Sequence, residues 1–276
     1  MSPSAVPRLI VATLLLLLLP GVVHAGLDFD RGAGRWVTLS YQHTSFDLYD
    51  AGLFDANWVL AGRFAVGDGL AIRAEIPFTH LSLDVPVSMA GGTIEATARG
   101  NLYFALEVPS ASGRGNWEFG VWAPTAPDDD PEDVAALLVA AAGDWVVGLE
   151  RYYPNTKGAI AMAHIDHPHL GGQLHLRGDF GVSVADLASQ DFKGFLLLGG
   201  EASVGTPLGP SVAAALQSRT SLSDIDENLA FVDFVAMVEL ANLPLQPSFQ
   251  LRRPLDEDRS SSVNWSIGLA LRAKLP

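Results

Sequence analysis

The twelve residues from Gln173 to Val184, QLHLRGDFGVSV, pose the main structural question of this chain. Successive side chains of a β-strand point to opposite faces, so this stretch predicts a strand with one apolar and one charged face. The apolar face carries Leu174, Leu176, Gly178, Phe180, Val182 and Val184, and the polar face carries Gln173, His175, Arg177, Asp179, Gly181 and Ser183. In a soluble sandwich the apolar face packs on a core. In an outer-membrane barrel the apolar face meets lipid and the charges line the lumen.

The N-terminus predicts export. Residues 1–25 have the pattern of a secretory signal peptide, in which Arg8 precedes an apolar run from Leu9 to Leu19 and small residues end the segment at Ala25. The run is too short for a membrane span, which needs about 20 apolar residues. We therefore expect residues 26–276 to form one exported domain.

Composition excludes several classes of protein. The chain has 17 Lys and Arg against 31 Asp and Glu, a formal net charge of −14. So acidic a chain lacks the clustered cations that bind nucleic-acid phosphates. It has no cysteine, which excludes disulfides, thiolate metal sites and a cysteine nucleophile. We predict no cofactor, no metal and no nucleic-acid partner, and localisation to the outer membrane of a Gram-negative bacterium, where barrel closure can replace disulfide bonds.

The same polarity recurs along the chain, which predicts a continuous wall. The segments that repeat it are residues 57–66, 101–108, 229–240 and 263–274. We predict about twelve strands, which begin near Arg35, Ala56, Leu70, Thr93, Asn116, Lys157, Gly171, Gly194, Ser211, Leu229, Leu245 and Val263. The predicted fold is all-β, an antiparallel up-and-down transmembrane β-barrel, with a soluble β-sandwich as the alternative.

Connections of two lengths alternate between these strands. Compact turn signals occur at 67–69, 166–169, 207–210 and 242–247, and longer polar stretches at 84–92, 125–155, 186–193, 221–228 and 254–262. Outer-membrane barrels have short periplasmic turns and longer external loops, so the compact turns are predicted to be periplasmic. The apolar phase slips between Phe78 and Leu81, which predicts a bulge near Pro77.

One segment of the longest loop predicts a helix. Asp130 is a capping residue, Pro131 suits the first helical position, and an apolar run follows two acidic residues. The helix is apolar nearly all round, so we expect it to be buried. Val134, Leu137 and Leu138 are predicted to form a constriction helix in the barrel mouth, and a hydrophobic cap over the external rim is the alternative.

The alternation also assigns charged side chains of both signs to the interior. The predicted lumen-lining residues are Arg73, Glu75, Glu107, Glu118, His175, Arg177, Asp179, Glu201, Arg219, Asp233, Glu239, Arg252 and Arg272. A barrel of about twelve strands lies between filled barrels of about eight and open porins of about sixteen. These charges therefore either line a narrow path or pair in a structural network.

Two groups of histidines are candidate reactive sites. His43 and Ser45 lie on one face of the first strand, similar to the His-x-Ser of the outer-membrane phospholipases, although no Asn follows Ser45 as in that family. A serine nucleophile also needs a base and a third group that orients the base. The run from His164 to His169 could bind a metal, but a solvated periplasmic turn explains it better. We predict no catalytic site and no metal site.

Three stretches resemble one protein family. They are RGNLYFALEVP (Arg99–Pro109), WEFGVWAPTAPDDDPEDVAALL (Trp117–Leu138) and ERYYPNT (Glu150–Thr156). They are similar to segments of the outer-membrane transporters of the meta-pathway phenol degradation family. In that family a Gly-Asn strand start precedes a strand that ends in a Pro-Thr-Ala turn and an acidic helical loop. The resemblance implies a barrel of about twelve strands that takes up small apolar or aromatic molecules.

Together these patterns predict a channel for passive passage of small molecules, and not an enzyme. Its expected partners are outer-membrane lipid and a small-molecule solute. Two alternatives remain open: a lipid-acting hydrolase that uses His43 and Ser45, and a structural or adhesive barrel without transport.

Overall fold

The fold is a closed antiparallel β-barrel of twelve strands with one additional strand at its rim. The computed structural model describes residues 34–46, 52–67, 69–85, 92–111, 114–144, 149–169, 174–186, 192–205, 210–222, 230–240 and 243–276. The predicted fold class is confirmed. The predicted signal peptide lies outside the described residues, as does Gln173.

The predicted strand starts lie within four residues of the observed ones. The strands are β1 (Arg35–Phe46), β2 (Gly52–Ala65), β3 (Ala71–Val85), β4 (Gly92–Arg99), β5 (Leu102–Pro109), β6 (Gly115–Ala123), β7 (Lys157–His169), β8 (Leu174–Asp186), β9 (Phe192–Gly205), β10 (Pro210–Ser221), β11 (Ala230–Leu240), β12 (Leu245–Pro254) and β13 (Val263–Leu275). The helices are α1 (Pro131–Gly143), α2 (Leu149–Tyr152) and α3 (Glu257–Ser260). The strand predicted from Thr93 is divided into β4 and β5.

Pairing between the first and the last strand closes the ring. β1 pairs antiparallel with β13 from Arg35 and Leu275 at one end to Phe46 and Val263 at the other. A closed ring satisfies the backbone groups of its strands internally, as lipid requires. β3 pairs with β5 from Ala71 to Glu75 and with β4 from Phe78 to Val85. β5 therefore continues the ring, and β4 lies outside it.

The quoted stretch lies in β8 from Leu174 onward, and its apolar face points outward. Phe180 is 54% exposed, whereas Asp179 is 4% and Ser183 is 1% exposed. Large apolar side chains are exposed in the same way on the other strands of the ring. Soluble monomers rarely expose a contiguous apolar patch larger than roughly 600 Å². The belt is therefore a lipid-facing wall, which confirms the barrel interpretation of this stretch over the sandwich.

The outer halves of β3 and β4 reverse this polarity. Up to Phe78 the exposed outward side chains of β3 are apolar, whereas Leu81 and Ala96 point inward and are buried. The outward positions of the hairpin beyond this point are His80, Ser82, Asp84, Thr93, Glu95, Thr97 and Arg99. A polar outer face does not suit the hydrocarbon region, so the hairpin leaves the lipid beyond Phe78.

The predicted bulge near Pro77 is wrong for β3 itself. β2 and β3 pair without a register shift along their whole length, from Gly52 and Asp84 to Ala65 and Ala71. The apolar phase slips because β3 leaves the lipid there and then packs on the loop helix inside. The irregularity lies in the partner strand, between β4 and β5.

Gly100, between β4 and β5, lies against Pro77. Its N–H donates to the Pro77 carbonyl oxygen at 2.9 Å. A Cβ at Gly100 would lie 2.9 Å from Cγ of Pro77, so this close approach requires glycine. The pairing register with β3 moves by one residue across this break, which turns Asn101 to the inside.

The connections differ in length at the two ends of the barrel. At one end they have four or five residues, and at the other end they have five to 33 residues. The longest connection, residues 124–156, carries α1 and α2. Among the described residues, no helix is long and apolar enough to cross a membrane.

A new charge should be tolerated differently on the two sides of the polarity boundary. Phe104→Arg places a guanidinium on the lipid-facing wall, and we expect the free energy of unfolding to fall by about 2–4 kcal/mol. Thr97→Arg, on the exposed outer face of β4, should change it by less than about 0.5 kcal/mol. Urea unfolding in phospholipid vesicles, followed by tryptophan fluorescence, measures both changes. Equal losses in the two variants would contradict this boundary.

Candidate functional site

Helix α1 forms as the sequence predicts. The Asp130 carboxylate accepts a hydrogen bond from the Glu132 N–H at 2.9 Å and caps the helix, and Pro131 occupies its first turn. Of the predicted constriction residues, Leu137 is fully buried, Val134 is half-buried and Leu138 is 40% exposed.

The helix lies inside the barrel mouth. Ala136 belongs to one buried cluster with Leu81 and Ala96, which are inward-facing residues of β3 and β4. At the other end of α1, a Cβ at Gly143 would lie 2.5 Å from Oγ1 of Thr44, an inward-facing residue of β1. Leu137 also joins an apolar layer with wall residues of β5, β6, β7 and β9. The external half of the interior is therefore packed, and that α1 constricts a solute path stays a prediction.

Adjacent residues of α2 bind opposite walls of the barrel. Arg219 of β10 donates to both carboxylate oxygens of Glu150, at 2.6 Å each. Arg151 donates to Glu75 of β3 at 2.5 Å. In the twelve-strand ring, β3 and β10 are six strands apart in either direction. We name the four residues Glu75, Glu150, Arg151 and Arg219 the crossbar, because they join the two walls through the lumen.

The crossbar ion pairs are buried, so each charge depends on its partner. Each of its four side chains belongs to a residue no more than 5% exposed. Burial alone would raise the pKa of the Glu150 carboxyl. The charge of Arg219 and hydrogen bonds from Arg219 and Ser183 outweigh burial, so that pKa lies below its ordinary value. Glu150 is therefore ionised at neutral pH, and loss of either partner would leave a buried charge uncompensated.

Asp144, just after α1, extends the chain of ion pairs to a third wall. Its carboxylate accepts a hydrogen bond from Arg252 of β12, and its other oxygen lies 3.5 Å from Nη1 of Arg151. Burial raises the pKa of Asp144 and outweighs the two guanidinium groups that lower it. The end of α1 is thus fixed to the wall beside the crossbar.

Asn101 holds both ends of the inward-folded connection. Its Nδ2 donates to the carbonyl oxygens of Glu150 at 2.9 Å and Tyr153 at 2.7 Å. Its Oδ1 accepts from the backbone N–H groups of Thr125 and Ala126, at 3.0 Å each. One fully buried side chain therefore satisfies four backbone groups and ties the entry of the connection to its exit.

A second network lies on the wall toward the compact turns. His164 Nδ1 lies 2.6 Å from Asp179 Oδ1, and Arg177 Nε donates to the same oxygen at 2.8 Å. On the other side, His164 Nε2 lies 3.6 Å from Glu118, which accepts a hydrogen bond from the Tyr103 hydroxyl. Basic and acidic side chains on neighbouring strands thus face one another, and buried charges require such opposite partners.

The predicted lumen-lining residues fall into two groups. Those with buried side chains are Arg73, Glu75, Glu107, Glu118, Asp179, Arg219, Asp233, Glu239, Arg252 and Arg272. Arg177 and Glu201 are half-buried and His175 is exposed, and these three line a cavity of about 380 Å³ with Asp166 and Pro168. That a solute passes along these residues stays a prediction.

Sequence reasoning missed several interior residues, among them Asp144, Glu150, Arg151 and His164. Asp144, Glu150 and Arg151 lie in the longest loop, where strand alternation assigns no side chain to a face. His164 was assigned to a solvated turn, which is wrong because β7 continues to His169 and His164 is 3% exposed. A neighbouring pair of opposite charges in ERYYPNT was the available signal for the crossbar. No group of three or more His, Asp or Glu among the described residues could hold a metal ion.

His43 and Ser45 lie on the outward face of β1, near its outer end. His43 Nδ1 is 2.8 Å from the backbone oxygen of Asp55, and its ring stacks on Phe54. No hydrogen bond joins Ser45 to His43 in the part of the chain that the structure describes. A serine nucleophile needs a base within hydrogen-bond reach, so this contact of a hydrolase is not formed here.

Comparison with known proteins supports the fold. The COG4313 outer membrane channel from Pseudomonas putida F1 is 16% identical, with a TM-score of 0.59 over 92% of this chain and 100% of that chain. The translocator domain of the autotransporter NalP from Neisseria meningitidis is 9% identical, with a TM-score of 0.52 over 90% of each chain. No protein family and no curated protein match this chain, so the resemblance to the phenol degradation family stays a prediction.

The stability given by Glu150 should depend on pH. Glu150→Gln leaves Arg219 buried without its carboxylate, and we expect a loss of about 3–5 kcal/mol in the free energy of unfolding at pH 7. Because the pKa of Glu150 is lowered in the folded chain, its stabilisation is complete above the ordinary value of about 4.3. It is lost as the pH falls further, through the lowered value.

Urea unfolding of the two proteins between pH 7 and pH 3 measures this dependence. The difference between wild type and Glu150→Gln should shrink below about pH 4, because the carboxyl is then protonated in the unfolded wild-type chain and folding has to ionise it. A difference that stays constant over this range would contradict the ion pair.

Proposed function

We propose that this chain is an outer-membrane channel that passes small molecules by passive diffusion, with the connection between β6 and β7 as its constriction. The crossbar is the observation that carries the proposal. A separate polar segment, held by Glu150 and Arg151, joins opposite walls of a barrel that is apolar outside. Such a segment can narrow or open a lumen by moving, whereas the wall strands are fixed by their ladders.

The interior charges favour a channel over a structural barrel. Replacing a buried ion pair by apolar residues is often neutral, or stabilising by about 1–4 kcal/mol. A barrel that served only as an anchor would therefore gain no stability from Arg219 and Glu150, or from His164 and Asp179. Outer-membrane channels, in contrast, have polar interiors because their lumens hold water.

The apolar outer face of the barrel supports the proposal that it contacts lipid in the outer membrane. An apolar groove of about 740 Å³ lies on this face and is lined by Leu39, Tyr41 and Trp58 among others. These side chains point away from the lumen, so we expect a lipid acyl chain in the groove and not the transported solute. The aromatic rings of Tyr41 and Trp58 pack together there, 4.7 Å between centroids.

The bore restricts the solute to small molecules. A barrel of twelve strands is narrower than the porins of about sixteen strands, and the crossbar divides its lumen further. The resemblance to the phenol degradation transporters implies apolar or aromatic solutes. Such solutes would contact the apolar layer around Leu137 and Tyr152 only once the connection has moved, because both side chains are buried there.

Removing one pair of crossbar charges together should open the channel. Glu150→Gln combined with Arg219→Gln leaves no unpaired charge, so the barrel should fold while α2 loses its hold on β10. We expect conductance in planar bilayers to rise about fivefold or more, because a change of about 1 kcal/mol shifts a two-state population by that factor. The matched control is Glu132→Gln with Lys157→Gln, which removes two exposed charges of opposite sign.

The control should conduct like wild type. If neither wild type nor the crossbar variant conducts in the bilayer, the channel proposal fails, and a structural or adhesive barrel becomes the better account.

A lipid-acting hydrolase is a second hypothesis, favoured only by the position of His43 and Ser45 on the lipid-facing wall. We expect purified wild type and Ser45→Ala to release fatty acid from phospholipid vesicles at the same background rate, because no hydrogen bond activates Ser45. Hydrolysis by wild type that Ser45→Ala abolishes would establish the hydrolase instead.

A further inference from the structure

Bulky side chains fill one side of the barrel interior. On β5, β6 and β7 the inward positions include Tyr103, Trp122 and Met162, none more than 7% exposed. The glycine on the next strand gives no extra space, because a Cβ at Gly181 would lie 2.8 Å from Cγ of Met162. This side of the interior therefore has no room for a solute.

The opposite side has a middle zone of uncharged residues, with the inward Arg252 toward the long loops and Arg272 and Trp36 toward the compact turns. β13 lies six strands from β7 in the ring. Two neighbouring rows of inward residues cross β12, β13 and β1, and they are Ser248, Ala270 and Ser40, then Gln250, Gly268 and Gln42. We name these six residues the neutral wall.

Buried polar atoms at this wall have no protein partner. Oε1 of Gln250, Oδ1 of Asn57 and Oγ1 of Thr38 make no hydrogen bond within the described part of the chain. These residues are 3–4% exposed, and Asn57 and Thr38 lie beside the neutral wall on β2 and β1. A buried polar group without a partner costs about 1–3 kcal/mol. Water or a solute is the partner that such atoms require, here as at other interior positions such as Thr79 and Gln217.

Charged groups near the neutral wall are already paired. Arg252 of β12 binds Asp144, and Arg272 of β13 has its Nη1 3.9 Å from Glu239. Asp55 of β2 also lies beside the wall, and its carboxylate accepts hydrogen bonds from the Thr44 N–H at 2.7 Å and from Nδ2 of Asn57 at 2.8 Å. The six residues of the wall itself carry no charge, and their amide and hydroxyl groups both donate and accept hydrogen bonds.

The end of α1 lies at the outer edge of the neutral wall. Gln42 Nε2 donates to the Gly143 carbonyl oxygen at 3.5 Å, and Asp144 is fixed by Arg252. A solute that enters from the long-loop end meets this contact first and the neutral wall directly below it.

We infer that the solute path follows the neutral wall and that the channel prefers small, uncharged molecules rich in hydroxyl groups, such as sugars. This inference rests on the proposed function and differs from the apolar class that the resemblance implies. Hydroxyl groups replace lost water contacts on the amides of Gln42 and Gln250. An ion would lose its hydration at these six uncharged residues, whose charged neighbours Asp55 and Arg252 already have partners.

Liposome swelling with solutes of similar size and different charge tests the inference. The probes are glucose, gluconate and glucosamine, and the proteins are wild type and the Glu150→Gln, Arg219→Gln variant, the latter alone and with a third substitution. Glucose should enter about three times faster than either charged probe, because the lining groups set selectivity. Adding Gln250→Leu should lower the glucose rate, since it removes the amide at nearly constant volume.

Adding Gln250→Glu should reverse the preference toward glucosamine, because it places a carboxylate on the wall without changing its shape. Thr97→Glu, on the exposed outer face of β4, is the charge control and should change none of the three rates. A heat-dependent shift on gels confirms that each variant folds.

Two kinds of failure are distinguishable. Absence of swelling with every probe, in wild type and in the crossbar variant, would contradict the channel itself. Swelling in which a charged probe matches glucose, or in which Gln250→Leu leaves the glucose rate unchanged, would overturn the path along the neutral wall while the channel stands.

Discussion

A buried charge needs an opposite charge within reach, and α2 meets this requirement on both sides of the barrel. Glu150 and Arg151 are neighbours in sequence, yet their partners Arg219 and Glu75 lie on opposite walls. This fixes α2 across the lumen. The remaining parts of the connection follow from its position, because Asn101 ties the chain before α1 to the chain at α2. The described parts of this connection that carry the buried faces of α1 and α2 thereby become part of the interior.

The polarity of the wall strands determines which side chains face the connection inside the barrel. Along most of the ring, apolar side chains face lipid and polar ones face inward, which is the inverse of a soluble core. The hairpin of β3 and β4 follows the opposite rule beyond Phe78, because it has left the lipid and packs on α1. Where the inner face is apolar it meets a helix, and where it is charged it meets other charges. The interior thus combines an apolar layer, which includes residues of β5, β6, β7 and β9, with ion pairs and amides at the same levels.

Sequence alone predicted the parts of this structure that depend on local periodicity. Alternation identified the strands and their outward faces, and the Asp130-Pro131 signal identified α1. It could not predict the crossbar, because which walls face one another depends on the order of strands in the closed ring. The slip after Phe78 was misread as a bulge, since a bulge and an exit from lipid both reverse the apolar phase. His164 was misplaced because the polar run around it resembles a turn, although β7 continues through it.

If the crossbar holds α1 inside the barrel, it should protect a thiol on α1 from labelling. The chain has no cysteine, so Leu137→Cys provides a unique reporter at a fully buried position of α1. A membrane-impermeant maleimide should react with it slowly when the crossbar is intact. In the Glu150→Gln, Arg219→Gln background it should react about tenfold faster or more, because local opening then costs about 1.4 kcal/mol less. Fast reaction at equal rates in both backgrounds would contradict the claim.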